Sequence, residues 1–372
     1  MKIAFLGMHA HMTGGVESVN RTLAAEFIKR GHEVYFGFLR ASGSAEEPEG
    51  AKVFCAREEA WHLTLGNEIR EALSRKRYLK ALRLFFTRKK EDAKRKEDEK
   101  SLRLWLKKVE PDLVVVSQYL LLSSVPEEML SRTYFHLHDS FEHARSEAAQ
   151  YETLLRYRDR VRLIVLSEAS KKAAEKDGFS GVTALYNPVS FFGKSEGKNI
   201  VVLARLAAQK RIPLLIRLVK KALDETGSDK KLFLYGEGEE QKEAVRAAAG
   251  DERIVFKGNT ADPRSAWKDA AFTVCTSAYE GFSISVLEAA AMGVPAVSYS
   301  FESLGEEILD GVTGIVVPMD DEEKMVRAIR RLLSDEAFCR RLGENARAWA
   351  RNFSPEAAAN AWERKVFSLP LS

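Results

Sequence analysis

Cysteine is scarce: the 372 residues contain 3, Cys55, Cys275 and Cys339, far apart and odd in number. No pair has a metal-ligand spacing, so neither a disulfide framework nor a bound metal is expected, and a reducing, cytoplasmic setting is. Cys275 lies in an apolar run and reads as a small hydrophobe. No apolar run reaches the roughly 18 residues that a spanning helix needs. The start, residues 2–6, is apolar but short, and His9 and His11 follow, so it reads as a strand and not as the core of a signal. Net charge is nearly absent too: 58 Lys and Arg oppose 54 Asp and Glu, leaving +4. That balance gives no footing for a nucleic-acid partner. The first turn lacks Gly-x-Gly-x-x-Gly. It reads Gly7-Met8-His9-Ala10-His11-Met12-Thr13-Gly14-Gly15, which argues against a dinucleotide-dependent dehydrogenase.

What is present is length and alternation. The chain is too long for one ordinary core and suits two domains. Residues 2–6, 33–39, 112–117, 133–138, 161–166 and 182–186 read as strands. Val19, Leu23 and Phe27 put an apolar face on a helix over 16–30. Ser167 is placed to cap a helix over 168–176. Asn187-Pro188 is a turn signal near which the domains divide. A second series then begins, with strands over 200–204, 231–235, 253–256, 272–276, 295–299 and 314–317. Helices over 213–223, 240–249, 283–292 and 322–333 alternate with them, and a helical tail covers 336–366. Two successive βαβ series predict an α/β protein with two doubly wound, Rossmann-like domains facing each other across a cleft. Ligands in such sheets sit at the carboxyl ends of the strands.

The stretch from Trp61 to Lys108 departs from this alternation. It has 16 Lys or Arg against 7 Asp or Glu, with Leu79, Leu82, Phe85 and Phe86 at helical spacing. Such a segment suits peripheral contact with a membrane surface or with an anionic acceptor, through about 70–108. It is equally the pattern of a solvated helix packed on its own domain.

The chemistry concentrates in residues 277–289. A predicted strand feeds a loop, Tyr279-Glu280-Gly281-Phe282, and Ser283 opens a helix that carries Glu288. Unpaired N–H groups at a helix N-terminus bind anions such as a diphosphate. Two carboxylates at this separation can hold vicinal hydroxyls at opposite ends of a polar ligand. Arg205 and Lys210 follow the strand over 200–204 and supply cations for phosphate oxygens.

Glu280 and Glu288, with seven residues between them, resemble the E-x7-E signature of retaining glycosyltransferases of the GT-B fold, family 4. Gly281-Phe282, Glu288-Ala289 and Gly293-Val294-Pro295 agree, and Glu306 to Gly311 with Gly314 resemble the family's closing segment. The resemblance covers nearly the whole chain and is densest over 199–318. It implies Arg205 and Lys210 on the donor diphosphate, Glu280 on the sugar, Glu288 on the ribose, and Gly281, Phe282 and Ser283 around the diphosphate. It implies the same for glycine loops at Gly14-Gly15 and at Gly236-Glu237-Gly238. His138, followed by Asp139, resembles the histidine that reaches across the cleft; His136 is expected on the opposite side of its strand. The family often has Gly after this lysine; here it is Arg211. The fold would divide into residues 1–187, 188–353 and a helix over 354–372 crossing back to the first domain.

The implied reaction moves a hexose or N-acetylhexosamine from a nucleoside diphosphate sugar, a UDP-sugar first among candidates, without cofactor or metal. Asp320-Asp321 reads as an acidic pair at a helix start. The acceptor would be a carbohydrate or anionic polymer of the cell envelope. Sequence around Tyr299, Ser303 to Ile308 and Asn187-Pro188-Val189 resembles the poly(glycerol or ribitol phosphate) α-glucosyltransferases. A sugar-nucleotide-binding subunit without activity of its own and a nucleotide-sugar epimerase are the alternatives.

Overall fold

The computed structural model describes residues 1–12, 14–59 and 65–368. Trp61, where the basic stretch begins, and residues 369–372 of the terminal helix lie outside them.

Two sheets organise the chain. The first comprises β1 (Lys2–Ala10), β2 (Glu33–Ala41), β3 (Lys52–Arg57), β4 (Leu113–Val116), β5 (Thr133–His136), β6 (Arg162–Val165) and β7 (Val182–Ala184). Its order is β3-β2-β1-β4-β5-β6-β7, and every pairing is parallel. Helices cover both faces: α1 (Gly15–Lys29), α2 (Leu65–Ser74), α3 (Tyr78–Val109), α4 (Phe141–Ser146), α5 (Ala148–Tyr157) and α6 (Glu168–Lys176). Burial on two faces explains why β4 reads Leu-Val-Val-Val, with all four residues buried.

The second sheet comprises β8 (Asn199–Leu203), β9 (Leu232–Tyr235), β10 (Ile254–Gly258), β11 (Ala270–Cys275), β12 (Ala296–Tyr299) and β13 (Gly314–Val317). Its order is β10-β9-β8-β11-β12-β13, again all parallel. Around it lie α7 (Ile212–Thr226), α8 (Gln241–Ala248), α9 (Pro263–Trp267), α10 (Ile284–Ala291), α11 (Leu304–Glu307), α12 (Glu322–Ser334) and α13 (Glu336–Ala350). α7 shows the logic of these helices. Ile212, Leu215, Ile216, Leu218 and Val219 face the core, Pro occupies its first turn, and Gly227, at φ 64°, ends it.

The strand order reverses between β1 and β4 in one sheet and between β8 and β11 in the other. These switch points leave a crevice beyond the strand ends, where ligands of such sheets bind. The last helix, α14 (Pro355–Trp362), leaves the second sheet's core and packs on the first: Ala359, Trp362 and Val366 are fully buried with Phe5, Leu23 and Phe27. Trp362 meets the Phe27 ring edge-on at 5.8 Å.

The sequence reading differs from this structure in particulars. β1 runs on to Ala10, so His9 belongs to a strand. β3, α4 and α5 were not anticipated. The helical tail is broken at 351–354, where a 3-10 turn precedes Ser354, which caps α14. No helix among the described residues is long and apolar enough to cross a membrane.

Candidate functional site

The cleft edge of the second sheet is built from the segments after β8 and β11. Beyond β8 the chain passes Arg205, makes a 3-10 turn at Ala208–Lys210 and enters α7 through Arg211. Arg211 takes the left-handed conformation, φ 54°, that glycine adopts without strain. That costs roughly 1–2 kcal/mol for a side-chain-bearing residue. Its guanidinium meets Asp320, 2.6 Å away. Beyond β11, Ala278 N donates to the Gln209 carbonyl at 2.8 Å, and Gln209 Nε2 donates to the Tyr279 carbonyl at 2.8 Å. Thr276 Oγ1 donates to the Lys210 carbonyl at 2.9 Å. The two loops are thus laced together.

Lacing brings Lys210 Nζ to 2.5 Å from Glu280 Oε1. Burial acts to lower the Lys210 pKa, but Glu280 beside it prevails and the ammonium is held above its ordinary value. The Arg205 side chain is exposed and makes no hydrogen bond or ion pair among the described residues. One cation is therefore pinned by a carboxylate and one is free at the rim.

α10 opens beside this pair. Ser283 does not cap it with its side chain, whose Oγ instead lies 3.3 Å from Ser285 Oγ. The N–H groups of Ile284, Ser285 and Val286 have no intrahelical acceptor by position. Ser283 N donates to Glu307 Oε2 at 3.0 Å, and Ser303 lies 2.9 Å from Glu307 Oε1. Burial pushes the Glu307 carboxyl up to about 8. Glu307 thus steadies the entry to α10 without adding charge at neutral pH.

The first domain meets this edge closely. A Cβ on Gly281 would strike the backbone of His138 and Asp139. A Cβ on Gly15 would lie 3.0 Å from Ile284 Cδ1. The rings of His143 and Tyr279 stack across the cleft at 3.7 Å. His138 Nε2 is buried with no hydrogen-bond partner, and burial pushes the imidazole down to about 3, so it is neutral. The His136 ring lies 4.0 Å from that of His138. Both rings are on one side, although β5 ends at His136, and the expectation that His136 points away is wrong. Asp139 is raised by burial and senses His143, Glu280, Lys210 and Arg205.

The structure therefore gathers His138, Lys210, Glu280, Gly281, Ser283 and Gly15 around one cleft, with Arg205 at its rim. Gly14 is extended at the start of α1, where a Cβ would meet the Glu17 carboxylate. The loop after β9 closes on the Arg205 loop. Side chains at Gly236 and Gly238 would hit the carbonyls of Ala204 and Leu206, and Leu206 N donates to the Glu237 carbonyl at 3.0 Å. The Glu237 carboxylate accepts from Asn259 at 3.1 Å. Glu288 stands apart from the Lys210–Glu280 pair. Trp267 Nε1 donates to it at 3.3 Å, and burial pushes it up to about 7. Phe282 packs its ring between Tyr186 and Phe353, each 5.3 Å away, in the cluster joining the domains.

Gln209, His143 and Glu307 were missed in the sequence. Gln209 adjoins Lys210 and was open to the same strand-end argument; the contacts that place His143 and Glu307 at the site, with Tyr279 and Ser283, span 24 or more residues. Among the described residues no cluster of His, Cys, Asp or Glu is arranged to hold a metal ion.

Chemically, the arrangement offers cations and free backbone N–H groups for a diphosphate. It offers a carboxylate, Glu280, for hydroxyls, and at His138 a neutral imidazole with an unused nitrogen.

Two family models match the chain: Glycosyltransferase Family 4 over residues 13–191 and Glycosyl transferases group 1 over 190–349. The exopolysaccharide phosphotransferase SCO2592 of Streptomyces coelicolor is 30% identical over 220 residues, 56% of this chain and 23% of that protein. The poly(glycerol-phosphate) alpha-glucosyltransferase of Bacillus subtilis is 30% identical over 175 residues, 45% of this chain and 25% of that protein. The matches thus span about a quarter of the length of these relatives. A variant of S. aureus TarM, solved with Fondaparinux, alpha-GlcNAc-glycerol and UDP, superposes with a TM-score of 0.77. It is 13% identical, with 99% of this chain and 100% of that one covered.

Proposed function

We propose, for a chain that belongs to the GT-B glycosyltransferases near the poly(polyol phosphate) glucosyltransferases, retaining transfer of a hexose or N-acetylhexosamine from a UDP-sugar to a teichoic-acid-like or other cell-envelope polymer. It would be a hexosyltransferase of the cytoplasm. One observation carries this reading: Arg205, Lys210 and the open N-terminus of α10 lie on the cleft edge that the backbone of His138 and Asp139 adjoins at Gly281. A leaving nucleoside diphosphate needs such a set of donors, fixed before its charge develops. TarM bound to UDP and alpha-GlcNAc-glycerol supports the donor and acceptor classes.

In this reading the bond between the sugar's anomeric carbon and the diphosphate oxygen breaks. A bond to an acceptor hydroxyl oxygen forms on the same face, and the hydroxyl proton passes to the departing phosphate. Arg205, Lys210 and the α10 amides, with Ser283, receive the developing charge. The glycine loops at Gly14-Gly15 and Gly236-Glu237 let the backbone approach the donor, and Gly281 and Phe282 shape the turn that presents Glu280. Glu280 accepts hydrogen bonds from sugar hydroxyls, His138 orients the sugar, and Glu288 holds the ribose. No cofactor enters the scheme.

A thermal-shift panel of UDP, GDP, ADP and their sugar conjugates tests it. UDP at about a hundred times its dissociation constant adds about 2.7 kcal/mol of stability. The shift is expected with the UDP series and is expected to vanish in Glu288→Ala. Release of nucleotide only when acceptor is present, with an α-linked product by NMR, separates transfer from epimerisation. No shift with any nucleotide would remove the reading.

A further inference from the structure

The outer half of α3 takes no part in that chemistry. From 72 to 90 the sequence has eight Lys or Arg and no Asp or Glu. α3 is anchored by its other half. Leu102 and Leu106 are fully buried, Trp105 stacks on Phe54 at 5.2 Å, and Asp98 holds Arg40 at 2.7 Å and Arg57 at 2.9 Å. Between 78 and 90 only Ala81 is buried. Leu79 is 87% exposed, Leu82 53% and Phe86 56%. At 100° per residue these three share one side of the helix within about 60°, opposite Ala81. Arg83 and Lys90 border that side, and Lys89 lies over the Phe85 ring at 5.2 Å. Lys80, Arg83, Arg88 and Lys90 form no ion pair among the described residues.

We infer that this face of α3, with the Arg75-Lys76-Arg77 turn, docks the enzyme onto a bilayer surface containing anionic lipid. The chemistry selects that occupant. A second copy of the chain would set Lys80, Arg83, Arg88 and Lys90 against the same four cations across a two-fold axis. A soluble polyanion would satisfy the cations and leave Leu79, Leu82 and Phe86 in water. A headgroup layer over acyl chains takes both, as amphipathic interfacial helices do. The inference stands apart from the transfer reaction, since it uses none of the cleft residues.

Flotation of the whole protein with vesicles tests it, comparing phosphatidylcholine alone with a mixture containing phosphatidylglycerol. The protein is expected to float with the mixed vesicles, less so at higher salt, and to stay behind with the neutral ones. Two triple variants, L79S/L82S/F86S and R83E/K89E/K90E, are each expected to bind the mixed vesicles at least about tenfold more weakly. All six positions lie where the helix is exposed, so both variants are expected to melt as wild type does and to keep the shift with UDP. Equal flotation with neutral vesicles, or unchanged flotation of either variant, would overturn the proposal. So would a dimer by light scattering that L79S/L82S/F86S dissolves, or polyphosphate binding that the variants lose while wild type ignores vesicles.

Discussion

Lys210 and Glu280 are half-buried and buried, and each is the other's charge partner. Removing one leaves the other desolvated without compensation, which costs more than the pair itself contributes. Lys210→Ala should therefore lose both stability and rate, the rate by on the order of a hundredfold if the ammonium faces the leaving diphosphate. Single-turnover kinetics on the folded variant separate the two effects. Glu307 and Glu288 act in the opposite sense. Their carboxyls are raised from an ordinary 4.5, to about 8 and about 7, by burial. Over that range the folded chain keeps protons that the unfolded chain has released. Their contribution is whole below about pH 4.5 and is lost as pH climbs through the folded values, by up to about 1.4 kcal/mol per pH unit for each. Glu307→Gln does not titrate and keeps an acceptor for Ser283 N. It should flatten the fall in urea midpoint between pH 5 and 8; a fall unchanged from wild type would assign that slope elsewhere.

Among the elements, α6 shows how one domain is tied to the other. Ser167 caps it from within, at 3.0 Å from Ser170 N. The second cap comes from the other sheet's domain: Glu306 accepts from Glu168 N at 2.9 Å, Ala169 N at 3.1 Å and Tyr186 OH at 2.9 Å. A carboxylate at a helix N-terminus gains from both the free amides and the dipole. Glu306→Ala should cost about 1–2 kcal/mol by urea unfolding, with the amides of 168 and 169 exchanging faster in deuterium. Loss of stability without faster exchange there would place the effect outside the cap. A sequence reader sees Glu306 only as part of a motif, because its partners stand 120 to 138 residues away. Ser167 was legible for the opposite reason: its partner is three residues on. β3 escaped notice because none of its six residues is buried, so it shows no continuous apolar run. α4 runs for only six residues and has no apolar period to display.

At the scale of the whole molecule, the chain's end braces its beginning. Trp362 is fully buried against Phe27, more than 300 residues away in sequence. Truncating such a residue costs roughly 3–5 kcal/mol. Trp362→Ala should unfold the first domain at lower urea than wild type, followed by the near-ultraviolet signal, while UDP still protects the second. A single cooperative transition in the variant would mean that the domains cannot unfold separately.

The sequence by itself determined the two parallel sheets, most of their strands, the helix that opens after Ser283 and the charged residues at the strand ends. Those follow from local rules: apolar runs buried on two faces, helical period, caps within one turn. Tertiary structure alone decided that Glu280 pairs with Lys210 while Glu288 turns to Trp267, and that His136 stands beside His138. It also decided that Glu307 is uncharged at neutral pH and that Arg211 takes a glycine-like backbone. The reason is physical. Which charge partner is nearest, and how far water is excluded, depend on how separate segments approach across a cleft, and no spacing along the chain encodes that distance.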